Sequence, residues 1–138
     1  MTLHFRCTAL FVPDVPETVE FYQKAFGLAL RYMHPSSGYA ELDTGETLLA
    51  FVGESFIETT SLLGGLSYRP SRADAAAPAE FVALVSTDLE ADWRRALAAG
   101  ATIVKAPEPK PWGQTTGYLR DVNGVIVELC TPSPRDAG

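Results

Sequence analysis

The chain has 138 residues, of which 46% are hydrophobic and 20% are charged, a composition typical of a globular domain. The formal net charge of −6 provides no basic surface for nucleic acid, and no apolar run approaches the ~20 residues that span a bilayer. We therefore expect a cytoplasmic protein without nucleic-acid or membrane partners. Two cysteines, Cys7 and Cys130, are too few for a disulfide framework.

The first half of the chain predicts a strand, a helix and three further strands. Residues 3–12 are rich in aromatic and β-branched residues, as strands are. Asp14 can cap a helix that Gly27 ends, with apolar residues at helical spacing between them. The stretches ALRYMH, GYAELD and ETLLAFV then predict three strands, of which the last two are joined by a TG turn.

A joining segment of about residues 53–78 follows, rich in Gly, Ser, Ala and Pro. It is too apolar for a pure linker, so we expect part of it to pack as a short helical turn or as a lid over a cavity. Its large apolar residues are Phe56, Leu62, Leu63, Leu66 and Tyr68.

The second half repeats the order of the first. EFVALVSTD predicts a strand, LEADWRRALAAG a helix, and ATIVKA, GYLRD and VIVELC three more strands. Asp88 matches Asp14 at the helix start, and Gly100 matches Gly27 at the helix end. The sequence therefore predicts an α+β fold of two βαβββ modules, module one at about 3–52 and module two at about 79–132.

The repeat carries the motif D-x-x-x-x-x-x-F-Y at the first helix and PWG-x-x-x-x-Y-x-x-D-x-x-G-x-x-x-E-L at the end. This pattern resembles the vicinal oxygen chelate superfamily, which includes glyoxalase I, extradiol dioxygenases, fosfomycin-resistance thiol transferases and bleomycin-resistance binding proteins. The resemblance implies curled mixed sheets around a cup-shaped cavity that holds a metal or a ligand. It also implies a homodimer.

In the enzymes of that superfamily, the first and last strands of each module supply the metal ligands. Carried over by counting from the helix-start aspartates and the turn glycines, these positions are Cys7, Leu49, Phe81 and Glu128. Phe and Leu cannot coordinate a metal, and Cys is a softer ligand than the usual metals of the family prefer. We therefore expect a lost metal site and no cofactor.

Strand alternation then predicts an apolar pocket with one carboxylate. The expected lining is Cys7, Ala9, Phe11, Leu49, Phe51, Phe81, Ala83, Ile126, Glu128 and Cys130, with Tyr32, Met33, Tyr39 and Tyr118 as further wall candidates. The alternative is that these residues fill a closed core.

Two residues of the pocket have roles that the sequence leaves open. Trp112 lies between Pro111 and Gly113 in a predicted loop, where its indole could stack on a planar ligand or pack as a structural plug. The resemblance to antibiotic-sequestering members favours stacking. Glu128 could meet a cationic ligand, pair with an arginine such as Arg6 or Arg120, or stay protonated.

These features support two hypotheses for function. The first is a metal-independent protein that binds a planar or hydrophobic small molecule such as an antibiotic. The alternative is a metal-dependent lyase or dioxygenase with an atypical site, in which Glu128 acts as base or lone ligand and Cys7 as thiolate ligand or nucleophile.

Overall fold

The computed structural model describes residues 2–137, and the side chains of residues 2–135. The described chain has an α+β fold of eight strands, three α-helices and a terminal 3-10 turn. The strands are β1 (Cys7–Val12), β2 (Ala29–Met33), β3 (Tyr39–Asp43), β4 (Leu48–Gly53), β5 (Phe81–Val85), β6 (Thr102–Pro109), β7 (Thr115–Arg120) and β8 (Ile126–Cys130). The helices are α1 (Val15–Phe26), α2 (Glu54–Thr60) and α3 (Leu89–Ala98), and the 3-10 turn is Pro134–Ala137.

The chain folds into two compact units, each built around one sheet. Unit 1 contains the chain up to Gln23 together with Gly27–Ser71, and unit 2 contains Lys24–Phe26 together with the chain from Arg72 onward. Each unit holds one four-stranded mixed sheet, in the order β1-β4-β3-β2 and β5-β8-β7-β6 respectively. In each sheet the outer first strand is parallel to its neighbour and the remaining pairs are antiparallel.

In unit 1, helix α1 covers one face of the sheet. The Asp14 side chain caps the helix by accepting a hydrogen bond from the Glu17 backbone N–H at 2.9 Å. The helix ends at Gly27, whose left-handed φ of 68° is a conformation that glycine adopts without steric cost. The rings of Tyr22 and Phe51, both fully buried, meet with centroids 4.9 Å apart and form the centre of this core.

Strand β1 starts later than the sequence predicts, and the joining segment contains a short helix, one of the two forms expected for it. Strand β1 begins at Cys7 and not at Leu3, because its partner β4 begins at Leu48, directly opposite Cys7. Residues 2–6 pair with no strand of the described chain, and Phe5 is exposed. The joining segment begins with the short helix α2, which buries Ile57.

In unit 2, helix α3 covers the corresponding face of the second sheet. Asp88 caps it by accepting a hydrogen bond from the Ala91 backbone N–H at 3.3 Å. Trp93 of this helix lies so close to β7 that a Cβ at Gly117 would come within 2.6 Å of the indole. Glycine at this position therefore allows the close approach of helix and sheet.

No helix within residues 2–137 is both long enough and apolar enough to cross a membrane.

Candidate functional site

The strand register of unit 1 determines which side chains share the sheet face opposite α1. Residues directly opposite one another in neighbouring strands project to the same face. The cross-strand pairs on the face away from the helix are Cys7 with Leu48, Ala9 with Ala50, Phe11 with Val52, Tyr39 with Val52, Glu41 with Ala50, and Tyr32 with Glu41. We call this set the open face of unit 1.

The prediction that Leu49 and Phe51 belong to this pocket wall was wrong. Leu49 lies opposite Thr8 and Phe51 lies opposite Leu10, so both point toward the helix side, where they are buried. Counting from the turn glycines misplaced Leu49 and Phe51, because the turn between β3 and β4 and the turn between β7 and β8 differ in length. A shift of one residue in a strand moves every side chain to the other face.

The strand register also places the two secondary wall candidates of unit 1 on opposite faces of the sheet. Tyr32 lies opposite Glu41 on the open face, with its ring 6.4 Å from the ring of Tyr39. Met33 lies opposite the buried Ala40, which points to the helix side. The expectation that Met33 contributes to the pocket wall was therefore wrong.

A carboxylate that the sequence analysis missed lies at the centre of the open face of unit 1. Glu41 is only 4% exposed, and its Oε2 accepts hydrogen bonds from Tyr39 Oη at 2.7 Å and from Arg6 Nη2 at 2.6 Å. The Tyr39 hydrogen bond and then the Arg6 contact lower the pKa of Glu41, against the effect of burial. Burial and the bond to Glu41 raise the pKa of Tyr39 to about 12, so this hydroxyl remains a donor at neutral pH.

The open face of unit 2 is the sheet face away from α3. Its cross-strand pairs are Phe81 with Ile126, Ala83 with Glu128, Val85 with Cys130, Tyr118 with Glu128, and Thr116 with Cys130. Phe81 and Val85 are 54% and 58% exposed, so this face is not a closed core within the chain. The rings of Phe81 and Tyr118 meet edge to face with centroids 5.9 Å apart.

Glu128 is half-buried on this open face. Its Oε2 accepts a hydrogen bond from Tyr118 Oη at 2.5 Å. The bond to Glu128, and then burial, raises the pKa of the Tyr118 hydroxyl, which therefore stays protonated and donating at neutral pH.

The two arginines that the sequence offered as partners for Glu128 bind elsewhere. Arg6 forms its ion pair with Glu41. Arg120 donates to backbone carbonyls, from Nε to Gly124 at 2.9 Å and from Nη2 to Ala75 at 2.7 Å. No lysine or arginine among the described residues forms an ion pair with Glu128. Of the possibilities that the sequence left open for Glu128, pairing with Arg6 or Arg120 does not occur.

The residues at the four implied metal positions can now be read from the register. Ala50 is the counterpart of Glu128, since each lies opposite an alanine of the first strand of its module. The set is therefore Cys7, Ala50, Phe81 and Glu128. Alanine and phenylalanine offer no donor atom, and no group of three or more His, Cys, Asp or Glu side chains that could hold a metal occurs among the described residues. This donor set does not fit a divalent metal site.

Trp112 lies in the turn between β6 and β7 and is 58% exposed. Its indole Nε1 donates a hydrogen bond to Gln114 Oε1 at 3.0 Å. An indole this exposed is not the buried plug that the sequence left open. Its stacking role remains a prediction.

Sequence comparisons place the chain among known proteins. Residues 4–129 match the model of the Glyoxalase/Bleomycin resistance protein/Dioxygenase superfamily. The uncharacterized protein Mb0911c of Mycobacterium bovis is 29% identical over 115 residues, which is 83% of this chain and 74% of that protein. For the uncharacterized protein Rv0887c of Mycobacterium tuberculosis, the same identity spans 66% of that protein.

The fold also matches solved structures. TioX from Micromonospora sp. ML1 aligns with a TM-score of 0.69 at 25% identity, covering 94% of this chain and 98% of TioX. A glyoxalase-related enzyme from Fulvimarina pelagi aligns with a TM-score of 0.74 at 20% identity, covering 94% of this chain and 88% of the enzyme. The protein belongs to the Glyoxalase/Bleomycin resistance protein/Dioxygenase superfamily.

Proposed function

We propose that this protein is a metal-independent binding protein that sequesters a planar or hydrophobic small molecule such as an antibiotic. The observation that supports the proposal is the open face of unit 2, where Phe81 is 54% exposed beside Tyr118 and Glu128. Exposed aromatic side chains around one oriented polar group are typical of small-molecule sites. Bleomycin resistance proteins are among the members that the family description includes.

The residue types of the open faces indicate how such a ligand would bind. A planar ligand would pack against the ring of Phe81 and gain both apolar burial and aromatic contact. Glu128, held by Tyr118, would accept a hydrogen bond from a ligand N–H group or meet a cationic one. Trp112, exposed in its turn, supplies a further flat surface.

The assembly and location belong to the same proposal. We expect a cytoplasmic homodimer, as in many members of the superfamily, with small-molecule ligands and no nucleic-acid or membrane partner. Sedimentation equilibrium of the purified protein over a range of concentrations tests the dimer. A single monomeric species across that range would contradict it.

The test of ligand binding is a calorimetric titration of the purified, tag-free protein with a panel of planar aromatic antibiotics. For any compound that binds, we expect Phe81→Ala to weaken binding about ten-fold, since a lost aromatic contact and its apolar burial are worth ~1–2 kcal/mol. Leu62→Ala is the matched control, because Leu62 is exposed to a similar degree, 53%, in the joining segment. Equal effects of the two substitutions, or no binding by any compound, would contradict the proposal.

The alternative is a metal-dependent lyase or dioxygenase around Glu128 and Cys7. Metal analysis of the same preparation, followed by titration with nickel, zinc, manganese and iron(II), separates the two. We expect no stoichiometric metal, because the donor set does not fit one. One tightly held metal per chain, lost in Glu128→Gln or in Cys7→Ala, would overturn metal independence and favour the enzyme.

A further inference from the structure

Unit 2 contains an open cavity of about 500 Å³ on the helix side of its sheet. Leu89 and Trp93 of α3, Pro107 of β6 and Thr115 of β7 line it. Thr115 and Gly117 share the face that meets α3, whereas the open face of unit 2 is the other face of the same strand. The volume is within the roughly 300–1,000 Å³ typical of small-molecule sites, so the cavity is a candidate site separate from that open face.

The packing of helix α3 on the sheet fixes the orientation of the Trp93 ring in this cavity. A Cβ at Gly117 would lie 2.6 Å from Cζ3 and 3.0 Å from Cη2 of the indole, and 2.9 Å from the ring of Pro107. The benzene-ring end of the indole therefore faces the sheet and is held there by close contact. The N–H group belongs to the pyrrole ring, at the end of the indole farther from Gly117.

The indole N–H of Trp93 has no hydrogen-bond partner among the residues that the structure describes, although Trp93 is only 9% exposed. A buried tryptophan N–H ordinarily finds an acceptor, because a donor left unpaired away from water is unfavourable. Trp112, the other tryptophan of the chain, donates to Gln114 even though it is exposed. The unpaired donor of Trp93 therefore points to an acceptor supplied from the cavity.

The rest of the lining favours a neutral molecule with an apolar body. Leu89 and Pro107 supply apolar surface beside the indole. Glu90 and Arg94 line the exposed rim and pair with each other, with Arg94 Nη1 and Glu90 Oε1 3.3 Å apart. Because the two charges balance, the cavity offers a free ion no net charge to bind.

From the unpaired N–H, the apolar lining and the balanced rim, we propose that this cavity binds a small neutral carbonyl compound. Its carbonyl oxygen accepts a hydrogen bond from Trp93 Nε1–H, and its apolar body packs against Leu89 and Pro107. A carbonyl oxygen supplies an acceptor without adding charge to an apolar site. The proposal does not depend on the function proposed above, because the two sites lie on opposite faces of the sheet.

The test compares acetophenone with isopropenylbenzene, in which a methylene group replaces the carbonyl oxygen. Each is titrated into ¹⁵N-labelled full-length protein. The chain has two tryptophans, so two indole N–H resonances are expected, and Trp112→Phe assigns them. Acetophenone should move the Trp93 indole proton downfield, because a hydrogen bond to oxygen deshields it. Isopropenylbenzene should shift backbone amides around the cavity without that downfield movement.

Two matched variants test the role of the N–H. Trp93→Phe removes it but keeps an aromatic ring, and should weaken acetophenone relative to isopropenylbenzene by about three- to ten-fold, the scale of one neutral hydrogen bond. The readout is the ratio of the two dissociation constants, since the hydrocarbon is the more hydrophobic compound. Trp112→Phe, which removes the other indole N–H, should leave the ratio unchanged.

A second pair of variants locates the apolar contact without altering a buried tryptophan. Leu89→Ala should weaken both compounds to the same extent, because Leu89 lines the cavity. Val104→Ala should weaken neither, because Val104 is 52% exposed on β6 and lies outside the cavity lining. Urea denaturation establishes that each variant is folded. If Trp93→Phe does not fold, the indole resonances of the unmodified protein and the Leu89→Ala variant decide the question.

Each outcome separates this cavity from the other proposed site. A downfield shift of the Trp93 resonance with acetophenone alone, together with weaker binding of both compounds by Leu89→Ala, supports the proposal. The same Trp93 shift with both compounds, or no binding of acetophenone, overturns it. A shift of the Trp112 resonance without one at Trp93 also overturns it, and places the ligand away from this cavity.

Discussion

The two sheets have the same strand order, but the carboxylates on their open faces have different hydrogen-bond and ion-pair partners. In unit 1, Glu41 is 4% exposed and bound by both Tyr39 and Arg6. In unit 2, Glu128 is half-buried and accepts its hydrogen bond from Tyr118. The carboxylate of Glu41 is thus compensated within the fold, whereas Glu128 forms no ion pair with any described lysine or arginine.

Two features of the sequence contribute to the difference: the carboxylates lie on different strands, Glu41 on β3 and Glu128 on β8, and the residue before the first strand of each module differs. Cys7 and Phe81 are counterparts in the register, so the residue before each is Arg6 in unit 1 and Glu80 in unit 2. Only the arginine can neutralise a carboxylate on the neighbouring strands. The same fold thereby combines a compensated charge in one unit with an uncompensated one in the other.

The largest expected effect tests the assignment of the sheet faces. Phe51→Ala should lower the free energy of unfolding by ~3–5 kcal/mol, because Phe51 is fully buried against Tyr22. Phe81→Ala should cost less than about 1 kcal/mol, because Phe81 is half exposed. Urea denaturation measures both. Similar losses for the two variants would mean that Phe51 and Phe81 occupy equivalent faces after all.

The turns of the two modules should also differ. Gly45 and Gly124 both have positive φ, 102° and 85°, so alanine at either should cost ~1–2 kcal/mol in backbone strain. A Cβ at Gly124 would in addition lie 2.4 Å from the Arg72 carbonyl oxygen, whereas a Cβ at Gly45 meets nothing within 4 Å. Gly124→Ala should therefore lose about 1–2 kcal/mol more than Gly45→Ala in thermal or urea unfolding. Equal losses would argue against the packed turn.

Removing the two tyrosine hydroxyls sharpens the comparison of the carboxylates. Tyr39→Phe should destabilise the protein by ~1–2 kcal/mol, since it leaves the buried Glu41 with one donor fewer. Tyr118→Phe should cost about 0.5–1 kcal/mol, because water can reach the half-buried Glu128 in its place. The order of the two losses in urea denaturation is the readout, and a larger loss for Tyr118→Phe would reverse the assignment.

The smallest expected effect is on the pH dependence of stability. Because the pKa of Glu41 is lowered in the folded state, its contribution is present above the ordinary carboxyl pKa of 4.5 and is lost as the pH falls below that value. Tyr39→Phe, which removes the largest cause of the lowering, should move the acid unfolding midpoint upward by less than about one pH unit.

Stability at alkaline pH provides a second test, in which a contribution to stability is lost as the pH rises and not as it falls. The pKa of Tyr39 is raised from 10 to about 12, so its contribution is complete below pH 10 and is lost as the pH rises toward 12. Circular dichroism across both ranges measures the midpoints. An acid midpoint that stays in place in Tyr39→Phe would contradict the role assigned to this hydroxyl.

The helices and the repeat could be predicted because their signals are local. Asp14 and Asp88 cap helices as their positions indicate, and Gly27 ends the first helix with the left-handed conformation expected of glycine. The prediction that Phe81 and Glu128 share one face of the second sheet agrees with the register, in which Phe81 lies opposite Ile126 and Ala83 lies opposite Glu128.

The partners of the carboxylates could not be predicted in the same way. Glu41 lies on a middle strand and meets Arg6 from 35 residues away, a contact that no local pattern encodes. Leu49 and Phe51 were assigned to the wrong face because a turn separates them from the position used for counting. Strand parity is lost whenever the length of a turn changes by one residue.

The sequence by itself determined the membership of the superfamily and the order of the elements, since these depend on residue identity and short spacings. Only the tertiary structure decided which carboxylate is compensated and which aromatic rings are exposed. The physical reason is that side-chain pairing and burial depend on the register between strands distant in sequence. That register is set by packing against the helices and not by any one segment.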